Sequence, residues 1–123
     1  MPYSAAFNDH VANPRHPGEI THADAVAEEV NPVCGDRIRL SLSIENGRIA
    51  EARFLAYGCA ATLACGSVLT EMLTQLALAD ARKISRADIV DRLNGLPRRK
   101  HHAAALAVET LLSALSKLPS LHQ

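Results

Sequence analysis

Tryptophan is missing from this chain, and tyrosine and phenylalanine occur only twice each. Without aromatic platforms there is nothing on which unpaired bases would stack, so a single-strand nucleic-acid binder is not expected. An excess of one charge is also lacking, because thirteen lysines and arginines balance thirteen aspartates and glutamates. No overall field therefore draws the chain to nucleic acid or to an anionic membrane. No apolar run approaches the roughly 18–20 residues of a membrane span. The N-terminus shows no basic stretch followed by an apolar one, so no secretory signal is expected. Three cysteines, an odd number, argue against a disulfide framework and for reduced thiols in a cytoplasmic setting. At 123 residues the expectation is one domain spanning 1–123, long enough for a genuine hydrophobic core.

The stretch from Arg53 to Met72 organises the rest. It begins with strand-like residues, breaks at Gly58, and continues with an apolar periodicity that suits a helix. Cys59 thus falls in the turn just before a helix N-terminus. There the free N–H groups and the positive end of the helix dipole favour negative charge on sulfur.

Upstream, Tyr3 to Val11 reads as a short helix ended by Pro14, and Asn13 to Gly18 as a loop. Ala23 to Val30 suggests an edge strand. After a break at Asn31-Pro32-Val33-Cys34-Gly35-Asp36, the residues Ile38, Leu40, Leu42 and Ile44 alternate with Arg37, Arg39, Ser41 and Ser43, which is a half-buried strand. Asn46-Gly47 signals a tight hairpin, and Ile49 to Tyr57 is the returning antiparallel strand. A hairpin so joined sets its distal ends side by side, with Cys34 and Asp36 at one and Cys59 at the other.

Downstream, a helix is expected from Cys59 to about Leu78, with Leu69, Met72, Leu73 and Leu76 on its apolar side and Leu63, Ser67, Thr70 and Thr74 on another stripe. Ser85 caps a short helix that stops near Asn94-Gly95. A last helix, about Lys100 to Leu118, carries Leu106, Leu111, Leu112, Leu115 and Leu118.

Cys34, Asp36, Cys59, Cys65, His101 and His102 are the candidate ligands. Two thiolates, a carboxylate and an imidazole make a set that suits tetrahedral zinc or iron held with sulfide. Cys34 and Cys59, each beside a glycine at a loop, read as ligands rather than core. Cys65, inside an alanine-rich turn, reads equally as core and as an auxiliary thiol close to the site. His102 is preferred over His101, because neighbours on a helix point about 100° apart. His10, His16, His22 and His122 read as surface residues, and Arg98-Arg99-Lys100 as a solvated basic face.

Taken together, Phe7-Asn8-Asp9-His10, Asn13-Pro14-Arg15, Asn31-Pro32-Val33-Cys34-Gly35-Asp36, Ala52-Arg53-Phe54, Tyr57-Gly58-Cys59-Ala60, Thr70-Glu71 and Leu96-Pro97 with Lys100 and His102 resemble one family. It is the NifU/IscU-like iron–sulfur cluster assembly scaffolds, and the resemblance covers nearly the whole chain. It implies an α+β fold, a small antiparallel three-stranded sheet with α-helices packed on it and the ligands at one exposed end. It also implies a transient iron–sulfur cluster, of the 2Fe–2S type, built with sulfur from a cysteine desulfurase and passed to recipient apoproteins. Cys34, Asp36, Cys59 and His102 match the family's ligand positions. The third family cysteine, directly after the histidine, is here Ala103, and Cys65 is the one remaining thiol. The charged pair Arg98-Arg99 stands where the family has Pro-Val, which weakens the implication of a heat-shock chaperone partner.

The expected function is an iron–sulfur scaffold or carrier. The alternative is a zinc-bound sulfur relay that partners a desulfurase without assembling a cluster, since the same four ligands complete a tetrahedral zinc site. No nucleophile–base–acid arrangement is visible, so an enzyme is not expected, nor is a nucleic-acid or membrane partner.

Overall fold

The computed structural model describes residues 3–119. Its elements are α1 (Ala5–Ala12), β1 (Ala25–Val30), β2 (Arg37–Glu45), β3 (Arg48–Tyr57), α2 (Ala60–Leu73), α3 (Leu78–Ala81), α4 (Arg86–Arg92) and α5 (His101–Ser116), the last preceded by a 3-10 turn at Arg98–Lys100. The strands form one antiparallel sheet in the order β1-β2-β3. This is the α+β architecture expected. Among the described residues no helix is long and apolar enough to cross a membrane.

The hairpin forms as its turn chemistry dictates. Asn46 and Gly47 both have positive φ, 53° and 74°, the twist a two-residue connection between right-twisted strands requires. Pairing runs from Glu45↔Arg48 to Arg37↔Tyr57, with a bulge between Ser43 and Ile44. Asp36 and Gly58 are therefore the first residues beyond the two ends of the ladder, and they come together. Ile38, Leu40 and Leu42 are fully buried on the inner face of β2.

Backbone from elsewhere in the chain covers the outer edge of β3. Phe54 N–H donates to the His16 carbonyl, and Gly18 N–H donates to the Phe54 carbonyl, so part of the expected Asn13–Gly18 loop lies strand-like beside β3. Further along, Gln75 N–H donates to Ile49 C=O and Ile49 N–H to Leu76 C=O. That pairing corrects the expected helix end. α2 stops at Leu73 rather than Leu78, because Gln75, at φ 67°, turns the chain out of the helix to satisfy the edge of β3.

α2 also differs from the amphipathic helix expected, being buried on nearly every side. Its small residues permit this. A Cβ on Gly66 would stand 2.5 and 2.8 Å from Phe54 Cδ2 and Cε2, so the helix lies against that ring only because Gly66 has no side chain. On its other side the polar stripe is covered by α1 and the loop after it. His10 Nδ1 lies 2.7 Å from Ser67 Oγ, Arg15 N–H donates to the same oxygen at 2.8 Å, and Thr70 Oγ1 donates to the Arg15 carbonyl. His10 is thus buried, not a surface residue as its sequence context suggested, because Ser67 supplies the partner its ring needs. His16 and His22 are exposed as expected, and His122 lies outside the described residues.

α4 carries the full reciprocal cap: Asp88 N–H donates to Ser85 Oγ, and Ser85 N–H to Asp88 Oδ2. α5 lays Leu106, Leu111 and Leu115 into the core with Ala103, Ala104 and Ala107, and leaves Leu112 half-exposed.

Candidate metal centre

Cys34 sits on a loop closed at its base. Asn31 N–H donates to the Asp36 carbonyl at 2.8 Å, Gly35 N–H donates to Asn31 C=O at 2.7 Å, and the Asn31 side chain accepts from Val33 N–H. Gly35 makes the bend at φ 80°, where a side chain is disfavoured. The loop therefore has fixed ends and an exposed tip. Val33 projects almost entirely into solvent, and Cys34 is exposed beside it.

Asp36 lies at the opposite extreme, buried where the hairpin ends meet. Gly58 takes φ 134°, and a Cβ there would stand 2.6 Å from Asp36 Cγ. One glycine thus supplies both the backbone conformation and the room for the carboxylate. Cys59 follows as the residue capping α2, its carbonyl accepting from Thr62 and Leu63 N–H, and its thiol donating to Asp36 Oδ2 at 3.4 Å. Thr62, in the first turn of the helix, donates its hydroxyl to the same oxygen at 2.8 Å. Burial alone would raise the Asp36 pKa. Hydrogen bonds from Thr62, Cys59, Cys34 and His102 outweigh it and hold the carboxyl below the usual aspartate value.

His102 enters from the start of α5. Its Nδ1 donates to the Arg99 carbonyl at 3.0 Å, and its Nε2 faces Asp36 Oδ2 at 3.6 Å. A proton or a metal cation between Nε2 and the carboxylate satisfies both, and a backbone carbonyl behind the other nitrogen is how ligating imidazoles are oriented. His101 turns aside, its Nε2 2.8 Å from the Leu96 carbonyl, so it braces the connector and does not join the site.

Ligand atoms of Cys34, Asp36 and His102 all lie within 4.8 Å of one another, and Cys59 completes the group through Asp36. The four residues named from the sequence therefore converge, from the 31–36 loop, the end of β3 and the start of α5. Their donors fit a soft-to-borderline cation: two sulfurs, one nitrogen and one oxygen at tetrahedral number, beside an open recess of about 310 Å³ lined by Asn31, Val33, Cys34 and His102.

Cys65 does not belong with them. It is fully buried in α2, and burial, with a smaller contribution from Cys59, pushes its thiol up to about 12. A sulfur that stays protonated inside the core is a packing group, so the expected auxiliary ligand is withdrawn. Ala103, likewise fully buried, offers no ligand in its place. Sequence reasoning passed over Thr62 and Asn31. Both sat in readable positions, a hydroxyl in the first turn after Cys59 and an asparagine opening a Pro-containing turn, but their partners were not readable.

Residues 2–122 match the model of the NifU-like N-terminal domain family. The iron–sulfur cluster assembly scaffold protein IscU 1 of Archaeoglobus fulgidus is 39% identical over 113 residues, covering 92% of this chain and 74% of that protein. The nitrogen fixation protein NifU of Cereibacter sphaeroides is 48% identical over 104 residues, covering 85% of this chain and 42% of that longer protein. Among solved structures, a NifU-like N-terminal protein from Brucella abortus superposes with a TM-score of 0.79 over 94% of this chain and 92% of its own, at 16% identity.

Proposed function

This chain belongs to the NifU-like N-terminal domain family, and on that ground we propose that it is an iron–sulfur cluster assembly scaffold whose site is formed by Cys34, Asp36, Cys59 and His102. Iron and sulfide are the cargo here. Cys34 and Cys59 bind iron as thiolates, His102 supplies Nε2, and Asp36 supplies an oxygen that keeps the site exchangeable. The observation that carries this reading is the convergence of the four side chains around one buried carboxylate at a solvent-open end of the sheet. Without cargo, the two thiols and the imidazole shelter that carboxylate. Loading replaces protons on sulfur by metal, so assembly releases protons and is favoured by rising pH.

Three protein donors per site are strong and one is hard and weakly suited to iron–sulfur chemistry, which favours release over storage. The cluster held is of the 2Fe–2S type, the sulfur comes from a cysteine desulfurase, and recipient apoproteins take the product. The protein holds and hands on; it is not an enzyme.

Anaerobic reconstitution with iron and sulfide tests this. A sulfide-to-iron charge-transfer absorption that vanishes in Cys59→Ala is the expected result. A colourless protein without acid-labile sulfide overturns it, and one zinc per chain in that case favours the zinc-bound sulfur relay, for which the same four donors suffice.

A further inference from the structure

The two edges of the sheet are treated differently. The outer edge of β3 is covered, by the pairing of His16 and Gly18 with Phe54 and of Gln75 and Leu76 with Ile49. β1 forms the other edge and pairs with β2 alone. Asn31 N–H donates to the Asp36 carbonyl on the β2 side, whereas the Val26 carbonyl faces away and accepts from Lys117 Nζ at 2.7 Å. Peptide groups of an antiparallel strand alternate in direction, so Val26, Glu28 and Val30 turn their N–H and C=O outward. Lys117 occupies one end of that row. Among the described residues nothing bonds to the outward groups of Glu28 or Val30, and Val30 is 44% exposed. A strand end left in this state is a template for pairing with another chain.

A recess opens beside it. Val30 and Pro32 face Ala105, Leu106 and Glu109 of α5 across a space of about 260 Å³. Its lining is mostly apolar, and Glu109 is the one carboxylate in it. Arg37 and Arg39 hold Glu28, but Glu109 forms no ion pair with any described residue. A lysine or arginine fits both features, with its methylene stem on Val30, Pro32 and Leu106 and its head on the carboxylate. Asn31 and His102 wall both this recess and the one beside Cys34, so the two spaces adjoin. Nucleic acid suits this edge poorly, because Glu28, Glu29 and Glu109 would repel phosphates. A second copy pairing β1 to β1 suits it no better: the strand carries two glutamates and no cation, so like charges would meet.

We propose that the open end of β1 accepts an extended segment of a partner protein as a fourth strand, with a lysine or arginine of that segment in the recess against Glu109. Main-chain hydrogen bonds to Glu28 and Val30 supply affinity with little regard to sequence, and the recess supplies the selection. The direction of the strand gives the contact a purpose. β1 leads into the 31–36 loop, so a segment continued past Val30 runs toward the recess beside Cys34. Only that purpose rests on the scaffold reading; the docking itself stands on an unpaired edge and an unpaired carboxylate.

The test is a titration of the isotope-labelled full chain with a short synthetic peptide of alternating valine and threonine around a central arginine, followed by amide hydrogen exchange. The expected result is saturable slowing at the Glu28 and Val30 N–H groups, while Ala27 and Glu29, which already bond to β2, keep their rates. Glu109→Gln should weaken the arginine peptide by about three- to fivefold and leave a peptide with central leucine unchanged. Val30→Pro removes one outward N–H at an edge where proline is tolerated, and should weaken both peptides at least tenfold. No added protection at Glu28 and Val30, uniform protection along β1, or an arginine peptide indifferent to Glu109→Gln would each overturn the proposal. Protection that grows with protein concentration and needs no peptide would overturn it in favour of a second copy, and tighter binding of oligodeoxythymidine in favour of nucleic acid. Glu109 is exposed, so its variant keeps the fold. Iron and sulfide content, measured separately, reports on the scaffold reading without deciding this one.

Discussion

The carboxyl carbon of Asp36 lies 2.6 Å from the point where a side chain on Gly58 would begin. No residue but glycine leaves that space and also accepts φ 134° without strain. Gly58→Ala should therefore push the carboxylate out of its donor cage while leaving the hairpin paired. The expected outcome is zinc affinity lower by about 10- to 100-fold, with an unchanged far-ultraviolet circular dichroism spectrum. Titration against a competing chelator measures the first, and wild-type affinity in the variant would show that the close approach is incidental.

Thr62 makes a 2.8 Å hydrogen bond to the Asp36 carboxylate, shorter than the 3.4 Å one from Cys59, without itself being a candidate ligand. Thr62→Val removes that donor at constant shape and leaves a buried carboxylate less satisfied, at a cost of about 1–3 kcal/mol. Metal affinity should fall and the Asp36 pKa should rise, while Thr62→Ser restores both. Carboxyl carbon shifts followed through an acid titration read the pKa directly. If valine and serine behave alike, the hydroxyl has no part in holding the site.

Cys65 tests the boundary between ligand and core. Cys65→Ala should leave metal stoichiometry and the reconstituted spectrum unchanged while lowering unfolding stability by about 1 kcal/mol. In the native, metal-free protein Cys34 and Cys59 should alkylate well before Cys65, which is fully buried and held as the thiol. A Cys65 that reacts as fast as Cys34 in folded protein would contradict its placement.

His10 gives a pH dependence away from the metal. Burial holds its pKa below the usual imidazole value, with Arg15 acting in the same direction and Glu71 and Asp9 opposing. The unfolded chain then takes up a proton near pH 6.5 that the folded chain resists, so stability is complete above about pH 6.5 and declines as pH falls below it. Urea unfolding at about pH 7.5 and about pH 5.5 should show this loss, and it should shrink in His10→Gln. An equal loss in that variant would assign the effect to other groups.

Local chemistry made the hairpin readable. Asn46-Gly47 dictates a tight return, the alternation from Ile38 to Ile44 names the buried face, and together they bring Asp36 to Cys59. Long-range pairing hid the rest. α2 ends early because Gln75 and Leu76 bond to Ile49, some twenty-five residues back, which helical periodicity does not register. His10 is buried because Ser67, 57 residues on, receives it. Cys65 showed small neighbours in its sequence, a sign of tight packing, but not which way its sulfur pointed. Among the candidate ligands, His102 was separated from His101 by helix geometry, while the reason for the choice, the Arg99 and Leu96 carbonyls, belongs to the folded backbone.

The two-residue turn at Asn46-Gly47 stands at the end of the hairpin far from the candidate site, yet the ladder acts as a ruler counted off from it. One residue inserted or deleted there would deliver a different backbone position to Cys59 in place of Asp36, and the bulge at Ser43/Ile44 has already consumed one residue of slack. The 31–36 loop obeys no such measure, because a longer tip would still be clamped at Asn31 and Asp36. Length tolerance in this protein thus runs opposite to intuition, rigid at a silent solvent-facing turn and generous beside the exposed sulfur of Cys34.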